Sequence, residues 1–242
     1  MNNHHFYVVE QDTDPSSPRE DDNLGTMYCA HRRYRLGDVQ FDGDVNKQRA
    51  RLLDWDSEEH SESAINKEFD AKFIWLNLYL YAHGGITMNT TGFSCPWDSG
   101  QVGFIAVSKA KVREEYGWKQ LTQKRIQQIE GYLRGEVETY DQFLQGEVYG
   151  FRVFSVTPEF AERYAEDLER MPLQEFVEEI ADSGWLSREE YDRQIEETDS
   201  CWGFYGKAYC EEEAKAIVKY QDEHWQEYQD RESGQQQLPL AA

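Results

Sequence analysis

The sequence predicts an α+β fold, in which an antiparallel sheet packs against helices and carries an acidic helical insertion. Strand-like runs of aliphatic and aromatic residues alternate with segments of helical periodicity, and the composition changes sharply after residue 156. Of the 242 residues, 39% are hydrophobic and 14% aromatic. A disordered acidic chain lacks large apolar side chains, so this chain is expected to bury a core.

The strand predictions begin near the N-terminus with Phe6–Val9, which a polar, proline-containing loop follows. A short helix is expected around Lys47–Trp55. The clearest strand signal is Phe73–Tyr81, after which the turn His83-Gly84-Gly85 leads into a return strand starting at Ile86. Gln101–Val107 forms a further predicted strand.

Two helices in the middle of the chain have identifiable ends. Ser108 is placed as the N-cap of a helix that ends at Gly117, and Thr122 begins a longer helix that Gly146 closes. In the longer helix apolar residues recur every three or four positions and define a buried face: Ile126, Ile129, Leu133, Val137, Tyr140 and Leu144. The segment 148–156 then reads as a strand.

Three acidic helices are predicted between residues 157 and 198. Pro158 and Pro172 suit the first position of a helix, and Ser187 with Glu190 forms a capping box. Strand character returns in DSCWGFYG (199–206), and a final helix spans about 211–230. The sequence thus predicts an α+β core of residues 1–156 plus 199–230, an acidic helical insertion of residues 157–198, and a flexible tail of residues 231–242.

Negative charge is concentrated in the second half of the chain. The net charge is −22; residues 61–156 hold 11 acidic and 10 basic residues, whereas residues 157–198 alone hold 14 acidic and 4 basic residues. Such a surface repels nucleic acid and anionic membranes, and it favours a basic protein surface as the partner.

The apolar positions of the insertion direct its carboxylates outward. The candidate partner-binding residues are Glu162, Glu166, Glu169, Glu175, Glu178, Glu179, Asp182, Glu189, Glu196 and Glu197, the last three assigned to the third helix. A helix of about 11 residues is about 16 Å long, and duplex DNA presents about ten phosphates over that length. Two or three such helices side by side approach that density, so mimicry of DNA is one interpretation. A solvated face that aids solubility is the other.

A second candidate site combines His83 with the segment FSCPWDSG (93–100). Cys95, His83 and Asp98 offer a thiol, an imidazole and a carboxylate, which in an enzyme act as nucleophile, base and orienting group. The same residues suit a structured turn equally well. This segment is therefore the basis of the alternative hypothesis, an enzyme acting on a small molecule or modifying a protein.

Other chemistry has weaker support. The four cysteines are widely spaced and are expected to be buried free thiols, and no metal site or cofactor is predicted. In HRRYRLGD (31–38), Arg32, Arg33 and Arg35 could bind a phosphate, but pairing with internal carboxylates is the favoured interpretation. No secretory signal or membrane-spanning run is evident, so a cytoplasmic location is expected.

Several segments resemble a family of small proteins found in bacteriophages, plasmids and other mobile elements. They are SPRE and DNLG within residues 17–25, HRRYRLGD, residues 78–105, residues 135–151 and DSCWGFYG. The resemblance covers most of the chain outside the insertion and brings no established activity. The resemblance implies that the protein acts in the context of mobile elements, whose proteins often counter host defence. The leading hypothesis is an anti-defence protein (an anti-CRISPR or antirestriction inhibitor) that binds the basic nucleic-acid-binding surface of a host defence complex.

Overall fold

The computed structural model describes the backbone of residues 4–235 and the side chains of residues 4–225. The strands are β1 (His5–Gln11), β2 (Thr26–Cys29), β3 (Val39–Gln40), β4 (Phe73–Ala82), β5 (Ile86–Asn89), β6 (Ser99–Ser108), β7 (Val148–Val156) and β8 (Ile195–Tyr205). The α-helices are α1 (Val45–Leu52), α2 (Glu62–Lys72), α3 (Lys109–Tyr116), α4 (Gln123–Gln145), α5 (Pro158–Arg163), α6 (Ala165–Leu168), α7 (Leu173–Asp182), α8 (Arg188–Gln194) and α9 (Lys207–Gln235). These elements confirm the predicted α+β class.

The chain folds into two compact units. Residues 16–146 form the central unit, and residues 1–15 together with 147–242 form the terminal unit. The two units divide the predicted core of residues 1–156 and 199–230, because β1, β7 and β8 belong to a different sheet from the strands between them.

The central unit contains a five-stranded sheet in the order β3-β2-β6-β4-β5. All neighbouring strands are antiparallel except β2 and β3, which are parallel. Helix α4 packs on β4 and β5 through the predicted apolar face, in which Ile129, Leu133, Val137 and Tyr140 are buried. Thr122 caps its start and Gly146 ends it in a left-handed conformation, as the sequence predicts.

The terminal unit contains a three-stranded antiparallel sheet in the order β1-β7-β8. Successive residues of a strand point to opposite faces. Phe6 and Phe154 therefore join the core shared with α5 and α7, while Tyr7 and Val153 join the core shared with α9. Both faces of β1 and β7 are covered, which makes the acidic helices one layer of a packed unit.

Several local predictions differ from the structure. Strands β2 and β3 and helix α2 were not predicted, because β2 and β3 are short and α2 buries only Ile65 and Phe69. The first predicted acidic helix is two short helices, α5 and α6. The third ends at Gln194, and α9 continues through residues 231–235 of the predicted tail, while residues 236–242 lie outside the described residues. Within the described part of the chain, no helix is long and apolar enough to cross a membrane.

Candidate functional site

The outer surface of the insertion is formed by carboxylates whose positions follow from the apolar face beneath them. In α7, Leu173, Phe176, Val177 and Ile180 are buried, which turns the intervening acidic residues toward solvent. All ten predicted partner-binding residues are exposed. We call these ten residues the acidic surface.

The carboxylates of the acidic surface are almost all unpaired. Among the described residues, nine of the ten have no cationic group within 4.0 Å, and the exception is Glu197. There Arg152 Nη2 lies 2.5 Å from Glu197 Oε2, and this hydrogen bond lowers the pKa of the Glu197 carboxyl. Nine of the ten carboxylates of the acidic surface therefore have no cation paired with them among the described residues.

A dedicated apolar core supports the acidic surface. Phe160, Tyr164 and Phe176 form a ring cluster with centroid distances of 4.9 to 6.3 Å. Leu186 is also buried there, and the predicted capping box between Ser187 and Glu190 fixes the start of α8. The carboxylates thus stand on short, packed helices.

The placement of two residues corrects the sequence prediction. Glu196 and Glu197 belong to β8 and not to the third acidic helix, because α8 ends at Gln194 and the chain then pairs with β7. The acidic surface accordingly includes the start of a sheet edge as well as helices.

One exposed aromatic residue was not included in the sequence prediction. Trp185, between α7 and α8, is 82% exposed, and it follows Gly184, whose φ of 72° allows the turn. Tryptophan is enriched among the residues that contribute most to protein interfaces. Its position in a short loop between Asp182 and Glu189, where Leu186 is the residue that enters the core, was the signal available in the sequence.

The structure brings the alternative catalytic residues together in the central unit, but with the carboxylate in the middle. Asp98 Oδ2 lies 3.7 Å from Cys95 Sγ and 3.5 Å from His83 Nδ1. Nucleophilic catalysis requires the base to contact the nucleophile, and here both contact Asp98. The His83 side chain is 71% exposed, and the neighbouring Trp97 is 91% exposed. This geometry is that of a hydrogen-bonded turn.

The basic cluster HRRYRLGD does not form the internal ion pairs that the sequence suggested. Arg32, Arg33 and Arg35 are exposed and have no carboxylate within 4.0 Å among the described residues. The buried ion pairs are made instead by Arg19, whose side chain is 6% exposed and bonds to Asp38 and Glu136.

The Arg19 network connects three of the segments that carry the family resemblance. Asp38 Oδ2 also accepts the Met27 N–H at 2.7 Å, and Glu136 Oε1 accepts the Leu24 N–H at 2.9 Å. SPRE, HRRYRLGD and the segment starting at residue 135 therefore meet in one structural centre of the central unit.

The cysteines and potential metal ligands have limited roles in the described residues. Cys29 and Cys210 are buried free thiols as predicted, whereas Cys95 is half-buried and Cys201 is exposed. No group of three or more histidine, cysteine or acidic side chains there is arranged to hold a metal ion.

Comparison with known proteins adds no assignment. No protein-family model, no curated protein and no solved structure matches the chain.

Proposed function

We propose that this protein is a non-enzymatic anti-defence inhibitor of a phage or other mobile element. It acts in the cytoplasm of the host cell and binds the basic, nucleic-acid-binding surface of a host defence complex through the acidic surface. The observation that carries the proposal is the exposure of nine unpaired carboxylates on helices and a strand that have their own apolar core.

An exposed tryptophan supports a binding function over a simple solubility function. A solvated face needs no exposed tryptophan, yet Trp185, three residues after Asp182, is 82% exposed. Interfaces combine such an aromatic anchor with a polar rim that excludes water. The unpaired carboxylates would form the rim, and Trp185 would contact an apolar patch of the partner.

The electrostatic contribution acts on the rate and specificity of association. Clustered charge steers an oppositely charged partner and raises the association rate by about tenfold to a thousandfold at low salt. Each exposed ion pair contributes about 0.2–1 kcal/mol. Four pairs formed by α7 therefore amount to about 1 to 4 kcal/mol, or a factor of about 5 to 1,000 in affinity.

The experiment compares two variants with the same net charge. The first reverses four acidic residues of α7 (Glu175→Lys, Glu178→Lys, Glu179→Lys, Asp182→Lys). The second reverses four exposed acidic residues of the central unit (Glu58→Lys, Glu59→Lys, Glu114→Lys, Glu115→Lys). Each immobilised protein is incubated with host lysate, and the retained complex is challenged with duplex DNA.

The proposal predicts that wild type and the central-unit variant retain the same complex, that duplex DNA displaces it, and that the α7 variant loses it. Retention by the α7 variant, or a retained complex that DNA does not displace, would contradict the proposal. Cys95→Ala is expected to leave retention unchanged, because the thiol has no part in this function.

A further inference from the structure

Strand β8 leaves one side of the terminal unit's sheet open. It lies at the end of the order β1-β7-β8 and pairs with β7 alone among the described strands. Eight consecutive residues, Glu196–Gly203, are exposed. The register of β8 against β7 shifts between Glu197 and Asp199 and again between Cys201 and Phe204. The open edge therefore offers backbone N–H and C=O groups to a further strand in short stretches on either side of these bulges.

A cleft of about 880 Å³ lies beside the first half of this edge, within the same unit. Glu196 and Ser155 are cross-strand partners and therefore share a face of the sheet. Tyr220 and Trp225 of α9 also line the cleft. Ser155 is 7% exposed and lines the cleft. The cleft thus joins a carboxylate, aromatic rings and a largely buried hydroxyl group.

The charges of the edge and the cleft indicate which occupant fits. Among the described residues that line the cleft there are three carboxylates and one arginine, Arg193. Two of the three carboxylates, Asp192 and Glu197, already pair with Arg188 and Arg152. Glu196 in the cleft and Asp199 farther along the edge have no cationic group within 4.0 Å in the part of the chain whose side chains are described.

The same charges argue against two other occupants. A second copy of β8 would place its own acidic residues opposite Glu196 and Asp199, and like-charge repulsion disfavours that pairing. The same two carboxylates repel the phosphates of a nucleic acid. The complementary occupant is an extended, basic polypeptide.

We propose that β8 receives an extended basic segment of a partner protein, which adds to the sheet as a fourth strand and places one lysine or arginine side chain in the cleft against Glu196. The proposal deepens the function proposed above, on which it rests for the basic character of the partner. Backbone hydrogen bonds to β8 supply the affinity, and the cleft selects the side chain.

The walls of the cleft suit a cationic side chain. Tyr220 is 61% exposed, and its ring stacks on His224 at 4.3 Å, which fixes one aromatic face at the opening. A guanidinium or ammonium group over such a ring gains a cation–π interaction in addition to its ion pair with Glu196. The Ser155 hydroxyl can accept a hydrogen bond from the same group.

The test uses an eight-residue peptide of alternating arginine and valine, matched in length to the exposed run, and the full-length ¹⁵N-labelled protein. Two further peptides carry backbone N-methyl groups on all arginines or on all valines. A strand pairs through every second N–H only, so one methylation pattern should weaken binding at least about tenfold while the other is tolerated. Shift changes should concentrate at Glu196–Gly203 and at the cleft.

Two variants separate this proposal from the function proposed above. Glu196→Lys should abolish peptide binding, whereas the fourfold reversal on α7 should leave the shift changes at β8 in place. Equal binding of both methylated peptides, shift changes confined to α7, or no binding of the unmethylated peptide would each overturn the strand-addition proposal. In those cases the function proposed above would still be supported if the fourfold reversal on α7 abolished partner capture, because that experiment does not involve the edge of β8.

Discussion

Replacement of Arg19 by methionine tests whether the ion pairs of Arg19 with Asp38 and Glu136 stabilise the central unit. The guanidinium uses all five of its N–H groups. Nε donates to Asp38 Oδ1 at 2.9 Å, Nη2 to Asp38 Oδ2 at 2.6 Å and to Gly25 O at 2.8 Å, and Nη1 to Glu136 Oε2 at 2.9 Å and to Asn23 Oδ1 at 3.0 Å. Methionine keeps the apolar stem and removes every one of these bonds.

The expected loss in the free energy of unfolding follows from the burial of the two carboxylates that Arg19 contacts. The Asp38 and Glu136 side chains are 22% and 15% exposed, so the loss of Arg19 leaves two largely desolvated carboxylates without their cation. Breaking a buried ion pair by removing one partner costs about 3–5 kcal/mol. The carboxylates retain backbone N–H donors from Met27 and Leu24, which favours the lower end, about 3 kcal/mol.

The assay is urea unfolding combined with hydrogen exchange at the amides of Leu24, Gly25 and Met27, which donate to these carboxylates. Arg35→Met is the matched control: Arg35 is exposed and unpaired among the described residues, so its loss should change stability by less than about 0.5 kcal/mol. A change below about 1 kcal/mol for Arg19→Met, with unaltered exchange at the three amides, would refute the reasoning, because it would place the network in solvent-screened surroundings.

Two further predictions concern the terminal unit's core and the thiols. Phe176→Ala removes a ring that packs against Tyr164 at 5.0 Å, and it should destabilise the insertion by about 3 to 5 kcal/mol; unchanged hydrogen exchange in α7 would contradict this. Burial raises the pKa of Cys29 to about 12 and that of Cys210 to about 11. At about pH 8 iodoacetamide should therefore modify Cys95 and Cys201 in the native protein and reach the buried pair only after denaturation, and mass spectrometry showing early modification of either buried thiol would disprove the assignment.

The elements that the sequence predicted well have local signals. Ser108 and Gly117 enclose α3, and Thr122 and Gly146 enclose α4, as their capping chemistry indicates. The apolar spacing of α7 likewise placed its carboxylates outward correctly. In each case the determining interactions lie within one helix or between adjacent turns.

The features that the sequence did not predict depend on contacts between distant residues. Arg19 and Glu136 are 117 positions apart, so no spacing rule indicates that they pair. The division into two units depends on β1 pairing with β7 across the whole central unit. The assignment of Glu196 to a sheet edge required knowledge of its pairing with Ser155, because its charge fitted an acidic helix equally well.

The salt dependence of partner binding by wild type and by the fourfold α7 reversal tests the central claim most directly. If the acidic surface is the binding surface, the affinity of wild type falls steeply as salt rises from low to physiological concentration. The α7 variant binds at least about fivefold more weakly at low salt, and its affinity depends less on salt. Equal affinity and equal salt dependence in wild type, the α7 variant and the central-unit variant would contradict the account, because the insertion's carboxylates would then have no part in recognition.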